Sequence, residues 1–127
     1  VSYPKLRPEV KQAWVLALRS GDYQQGEGTL CDVNWDHEPS FWCCLGVLAD
    51  QLELPFVIND DERARGYYVP GSTGPRYLGF LPGAAASLVL ADGAEAGFEA
   101  LMSKLVNLND VEKLSFDEIA DWVEANL

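Results

Sequence analysis

Regular patterning in this chain begins at Pro8. Val10, Ala13, Trp14, Ala17 and Leu18 recur at spacings of three and four, with Lys11, Gln12 and Arg19 on the opposite side. That spacing places one apolar stripe along a helix. Pro8 suits its first turn, where a missing N–H costs nothing, and Gly21 suits its end, so a helix is predicted over 8–20. The stretch from Phe41 to Leu54 is of another kind, apolar nearly throughout, with polar residues arriving only at Asp50, Gln51 and Glu53. Its length and late polarity favour a buried, central helix over a strand, with Pro55 ending it. Gly46 in its middle costs about 1 kcal/mol against alanine. A glycine there makes sense where another backbone packs closely against that face.

The segments between and after these helices have weaker patterns. Residues 22–40 are polar and glycine-bearing, and a short strand is expected at about 29–33. From Phe56 to Phe80 the chain turns to β-like pieces. Gly66–Val69 and Arg76–Phe80 flank a Gly/Pro-rich connector at 70–75, which reads as a hairpin lying on the helices or joining the strand near Leu30. Helical stretches are expected at about 83–90 and 94–107, with Phe98, Leu101, Met102, Leu105 and Val106 on one face of the second and a turn from Asn109-Asp110 onward. Ser115-Phe116-Asp117-Glu118 then carries the pattern of a capping box, flanked by Leu114 and Ile119 as a hydrophobic staple. Phe116, Ile119, Ala120, Val123 and Leu127 form the buried stripe of that last helix. The expected architecture is one domain over 1–127 of the α+β class, mainly α. In it, about four to five helices pack around a central buried helix with a small β-hairpin or short antiparallel sheet.

Composition supports a packed interior and narrows the partners. Of 127 residues, 48% are hydrophobic, with four Trp, five Tyr and five Phe to fill a core. Twenty acidic against nine basic residues give a net charge of −11. Such a surface repels phosphates and anionic lipid heads, so direct nucleic-acid or membrane binding is disfavoured. Solubility alone, a basic protein partner and imitation of DNA's charge all remain compatible with it. The longest apolar run falls well short of the ~18 residues that span a bilayer. Val1 to Glu9 is polar, unlike a signal peptide. Three cysteines, two of them adjacent, make a poor disulfide framework, and the expectation is a reduced cytosolic protein.

Candidate chemistry is thin. His37 is the only histidine, and pairing it with Cys43 would make a nucleophile and base, yet Cys43 and Cys44 lie in the most apolar segment, where thiols behave as small hydrophobes. Cys31, Cys43, Cys44 and His37 lack the spacing of a zinc site. Asp36, Glu38, Asp60, Asp61 and Glu62 do not follow a calcium loop, and Gly26-Glu27-Gly28 lacks the Lys-Ser/Thr ending of a phosphate loop. No catalytic residue, metal or cofactor is assigned. What remains is a binding surface, for which Trp35, His37, Trp42, Tyr67, Tyr68, Arg76 and Tyr77 are the candidates, being largely types enriched at interface hot spots. The same aromatics equally suit the cover of a core. A nucleotide-sequestering pocket using Arg63, Arg65 and Arg76, or a small hydrolase using His37 or the acids, stands as an alternative.

Several segments taken together carry a resemblance. They are Trp14-Val15-Leu16-Ala17-Leu18-Arg19-Ser20-Gly21 with Tyr23-Gln24-Gln25-Gly26, and Cys43-Cys44-Leu45-Gly46-Val47-Leu48. Tyr77-Leu78-Gly79-Phe80-Leu81-Pro82, Leu108-Asn109-Asp110 and Ser115-Phe116-Asp117-Glu118-Ile119-Ala120-Asp121 follow. In order and spacing the chain resembles a family of small uncharacterised proteins encoded by actinobacteriophages and prophages. The resemblance implies a protein working in the bacterial host cytoplasm, commonly by binding a host or phage protein, with a role in countering defence among the options. Residues 55–75 match no recurrent pattern, and oligomeric state, monomer or dimer, stays open.

Overall fold

The computed structural model describes residues 3–27, 30–33, 39–57, 66–67, 69, 81–93 and 95–127. The first helix, α1, spans Pro8–Arg19, with Pro8 in its first turn and Trp14, Val15, Ala17 and Leu18 buried. Ser20 closes it, its hydroxyl donating to the carbonyl of Ala17 at 2.7 Å. Gly21 follows at φ 80°, a left-handed conformation that glycine adopts without penalty.

Strands β1 (Cys31–Val33) and β2 (Pro39–Trp42) pair antiparallel, Cys31 opposite Trp42 and Asp32 opposite Phe41, with a register shift before Val33. The central helix, α2, therefore starts at Cys44 and ends at Gln51, rather than running from Phe41 to Leu54. A short apolar run does not distinguish strand from buried helix by periodicity. Here the backbone of Trp42 settles the matter by pairing sideways: its N–H donates to Gln24 at 2.8 Å and its carbonyl accepts from Gly26 at 2.7 Å. Residues 44 to 49 of α2 are all buried.

Beyond α2, β3 (Phe56–Val57) pairs antiparallel with β4 (Gly66–Tyr67). Gly66-Tyr67 thus finds a partner on its N-terminal side. The second arm expected for its hairpin, 76–80, lies outside the described residues.

A 3₁₀ turn at Gly83–Ala85 runs into the short α3 (Ala86–Val89). The N-terminal segment pairs beside it through a bridge between Leu6 and Leu90, with Arg7 N–H donating to Val89 at 2.8 Å. Helix α4 covers Phe98–Val106, starting four residues later than its pattern suggests because Gly97 takes a left-handed φ of 79°. The expected turn at Asn109-Asp110 is instead a π-helical turn, Asn107–Val111, in which Glu112 N–H reaches back to Asn107 at 2.9 Å. Helix α5 (Phe116–Asn126) closes the fold.

The architecture is mainly α with a small β element. α1 packs against α5 and α2, and α2 against α4. Trp14, Leu45, Leu48, Phe98, Leu101, Leu105 and Ile119 form the centre, each at most 1% exposed. Trp14 also ties α1 to α2, its indole N–H donating to the Cys44 carbonyl at 2.9 Å. The capping box of α5 forms as expected: Glu118 N–H donates to Ser115 Oγ at 3.2 Å, and Ser115 N–H to the Glu118 carboxylate at 3.1 Å. Ser115→Ala is expected to cost about 1 kcal/mol, read as a melting temperature lower by roughly 3–5 °C.

Candidate functional site

The aromatic patch expected from the sequence does not assemble among the described residues. Trp42 is half-buried and meets Tyr23 edge-on, ring centroids 5.0 Å apart at 88°. Tyr67 is 2% exposed, with its hydroxyl turned toward the Gly46 carbonyl 3.5 Å away. The expectation of Tyr67 as a contact residue is therefore corrected: antiparallel pairing with Phe56 holds it at α2, where its ring packs in the core. Trp35, His37, Tyr68, Arg76 and Tyr77 lie outside the described residues, as do Arg63 and Arg65. Tyr23 itself is committed inside the fold. Its hydroxyl donates to Asp50 and accepts from Gln51 at 2.8 Å. Burial, then the bond to Asp50, push its pKa up to about 12.

The thiols of Cys43 and Cys44 are free and buried. Burial pushes Cys43 up to about 11 and raises Cys44 well above the ordinary thiol value. Neither is poised as a nucleophile, since the thiolate is the reactive form. In a Cys31→Ser variant, the folded protein is expected to resist iodoacetamide at pH 8 and to alkylate at both positions in denaturant. The linkage runs one way. An acid whose folded pKa lies above its unfolded one stabilises fully below the unfolded value, so stability should fall as pH rises from 9.0 toward about 11. Urea titrations across that range would show it.

The most connected polar group is Asn109, 1% exposed in the π turn. Its carbonyl oxygen accepts from the backbone N–H of Cys44 at 3.2 Å and from Gln25 Nε2 at 3.0 Å. Its amide nitrogen donates to the Gly26 carbonyl at 2.9 Å and to Asp110 at 2.7 Å. Gln25 also donates to the Leu114 carbonyl at 2.7 Å. One side chain thus satisfies an orphan N–H at the start of α2 and fastens both the 24–26 segment and the α4–α5 connection. Three of the motif segments, 23–26, 43–48 and 108–110, meet here. Asn109's own donors and acceptor are spent within the fold.

What stays open is an apolar groove of about 910 Å³ beside α4. Pro82 and Val106 line it over the buried Leu81, Phe98 and Met102, with the polar Ser103 and Asn107 beside them. At its end the π turn throws Val111 outward, 70% exposed, while it points Asn109 inward. Glu95 and Glu99 are the only charged side chains among the described lining residues. Gly83 lets Glu95 lie down at the mouth: a Cβ there would come within 2.9 Å of its carboxylate. An acidic rim over an apolar floor repels phosphates and favours cations beside apolar groups. Sequence reasoning missed this site. Met102 is buried as its spacing indicates and Val106 packs against the core, and the groove opens only beyond them, where the π turn throws Val111 outward.

Residues 6–62 match the model of a family described as a domain of unknown function, DUF8296. The match covers less than half of the chain. It takes in α1, α2 and two of the segments that Asn109 joins, and stops short of Asn109 and the groove. No curated protein and no solved structure matches the chain.

Proposed function

We propose that this chain is a non-enzymatic interaction module that binds a host or phage protein in the bacterial cytoplasm, as a product of a phage or prophage. The observation that carries the reading is the open groove beside α4, with Val111 exposed at its end. Its apolar surface at Pro82, Val106 and Val111 is available for contact, whereas the thiols are buried and Asn109 is satisfied internally. The charge of −11 adds long-range attraction for a basic partner and repulsion for nucleic acid and anionic lipid. Among the described residues no helix is long and apolar enough to cross a membrane.

The test is capture from an actinobacterial lysate by the tagged wild type and by Val111→Asp in parallel. A stoichiometric protein held by the wild type and lost from the variant is expected, the loss being at least roughly tenfold for a desolvated contact. Recovery of the chain with only a bound metabolite would contradict the reading. So would a partner held equally by both forms, since the groove would then play no part. Val111 is exposed, so folding should be unaffected, which circular dichroism checks.

A further inference from the structure

We infer that the groove between the Gly83 turn and α4 is built for a lysine- or arginine-bearing amphipathic segment of a partner protein, seated by a large apolar side chain. This rests on the interaction reading and specifies the partner's chemistry. Two features converge on it. The apolar lining that reaches the surface is Pro82, Val106 and Val111, over the buried Leu81, Phe98 and Met102, so the anchor is an aliphatic or aromatic side chain. Both charged residues at the rim, Glu95 and Glu99, are anionic and exposed. The nearest cation of α4, Lys104, is turned away: its ammonium lies 5.9 Å from the Trp122 ring centroid and 3.9 Å from Glu112. No described lining group opposes an incoming positive charge. Glu99 sits in the first turn of α4 and Glu95 on the turn before it, on either side of the left-handed Gly97, so the two carboxylates belong to different elements at the rim.

Leu16, as exposed as Val111, has other surroundings, with two cations and Glu124 beside it. It is 70% exposed beside Lys11 and Arg19 on α1. That face suits a different occupant, and a second copy of the chain docking α1 into the groove is the competing outcome that the experiment must separate.

The probe is a labelled helical peptide of about 14 residues, roughly four turns, made of Leu and Lys in amphipathic order. Two further peptides carry Gln or Glu in place of Lys. Binding is followed by fluorescence anisotropy, and the protein's own mass by light scattering. The Lys peptide is expected to bind wild type. The double reversal Glu95→Lys/Glu99→Lys should weaken it at least roughly tenfold, whereas Asp22→Lys/Glu53→Lys, with the same change in net charge away from the groove, should weaken it about twofold or less. Equal weakening by both double variants would overturn the inference, since attraction would then belong to the whole acidic surface. Equal binding of the Gln peptide would overturn the basic requirement while leaving an interaction role intact. Self-association lost on Leu16→Asp and on Val111→Asp alike would replace the foreign segment with a second copy. No binding by any peptide, together with no captured partner, would overturn both this inference and the proposed function.

Discussion

Gly46→Ala is expected to destabilise the protein by roughly 3–5 kcal/mol, a large part of the total stability of a domain this size. A Cβ at position 46 would lie 1.6 Å from the carbonyl oxygen of Leu30 and 2.5 Å from its carbon. Neither atom can give way alone. The same oxygen accepts the N–H of Cys43 at 3.3 Å, Leu30 is fully buried, and β1 begins at the next residue. Relief therefore requires moving α2 away from β1, which opens the core on both sides. Alanine's better helix propensity returns about 1 kcal/mol, too little to offset overpacking against backbone. Urea unfolding of the variant, if it folds at all, gives the number. A midpoint within experimental error of wild type would show that this close approach is absent.

Asn109→Ala is expected to cost a similar amount, roughly 3–5 kcal/mol, by leaving several buried groups unpaired at once. The Cys44 N–H and the Gly26 carbonyl lose the partners described for them, while Gln25 keeps the Leu114 carbonyl. The more informative variant is Asn109→Asp, which keeps shape and replaces the donating NH₂ with an oxygen. The oxygen replacing the amide nitrogen would then face the Gly26 carbonyl and the Asp110 carboxylate at 2.9 and 2.7 Å, acceptor against acceptor, with a buried charge added. Asn109→Asp should therefore be at least as unstable as Asn109→Ala at pH 7. The gap between them should narrow as pH falls and protonation restores a donor. A stable Asn109→Asp at pH 7 would mean that the Gly26 and Asp110 bonds contribute nothing.

These two residues also show which parts of the fold can be read from the chain. Gly46 was legible because a glycine inside a strongly apolar helix has few explanations besides close approach. α1 and the Ser115 capping box were legible because their signals are local, set by spacing and by side chains within one turn. Asn109 was not legible as a buried centre. An Asn-Asp pair after a helix looks like an ordinary turn, and its burial depends on partners 65 to 84 positions away. The start of α2 was misplaced for a related reason: Phe41 and Trp42 are apolar in either conformation, and only pairing with the distant β1, and of Trp42 with residues 24–26, makes them strand. Tyr67 could be read as surface or core cover, and its pairing with Phe56 decided for the core. The groove was hidden because its deep residues are core residues, as the spacing of α4 indicates, and its open end at Val111 depends on a π turn that the sequence pattern does not mark.

The measurement that bears most directly on the groove as the working surface is hydrogen–deuterium exchange of the protein with and without its captured partner, resolved by peptide. Slowed exchange confined to 81–83 and 95–111 on binding is the predicted result. Slowed exchange on α1 around Leu16, or none at 95–111 under saturating partner, would contradict it and move the interaction to another face.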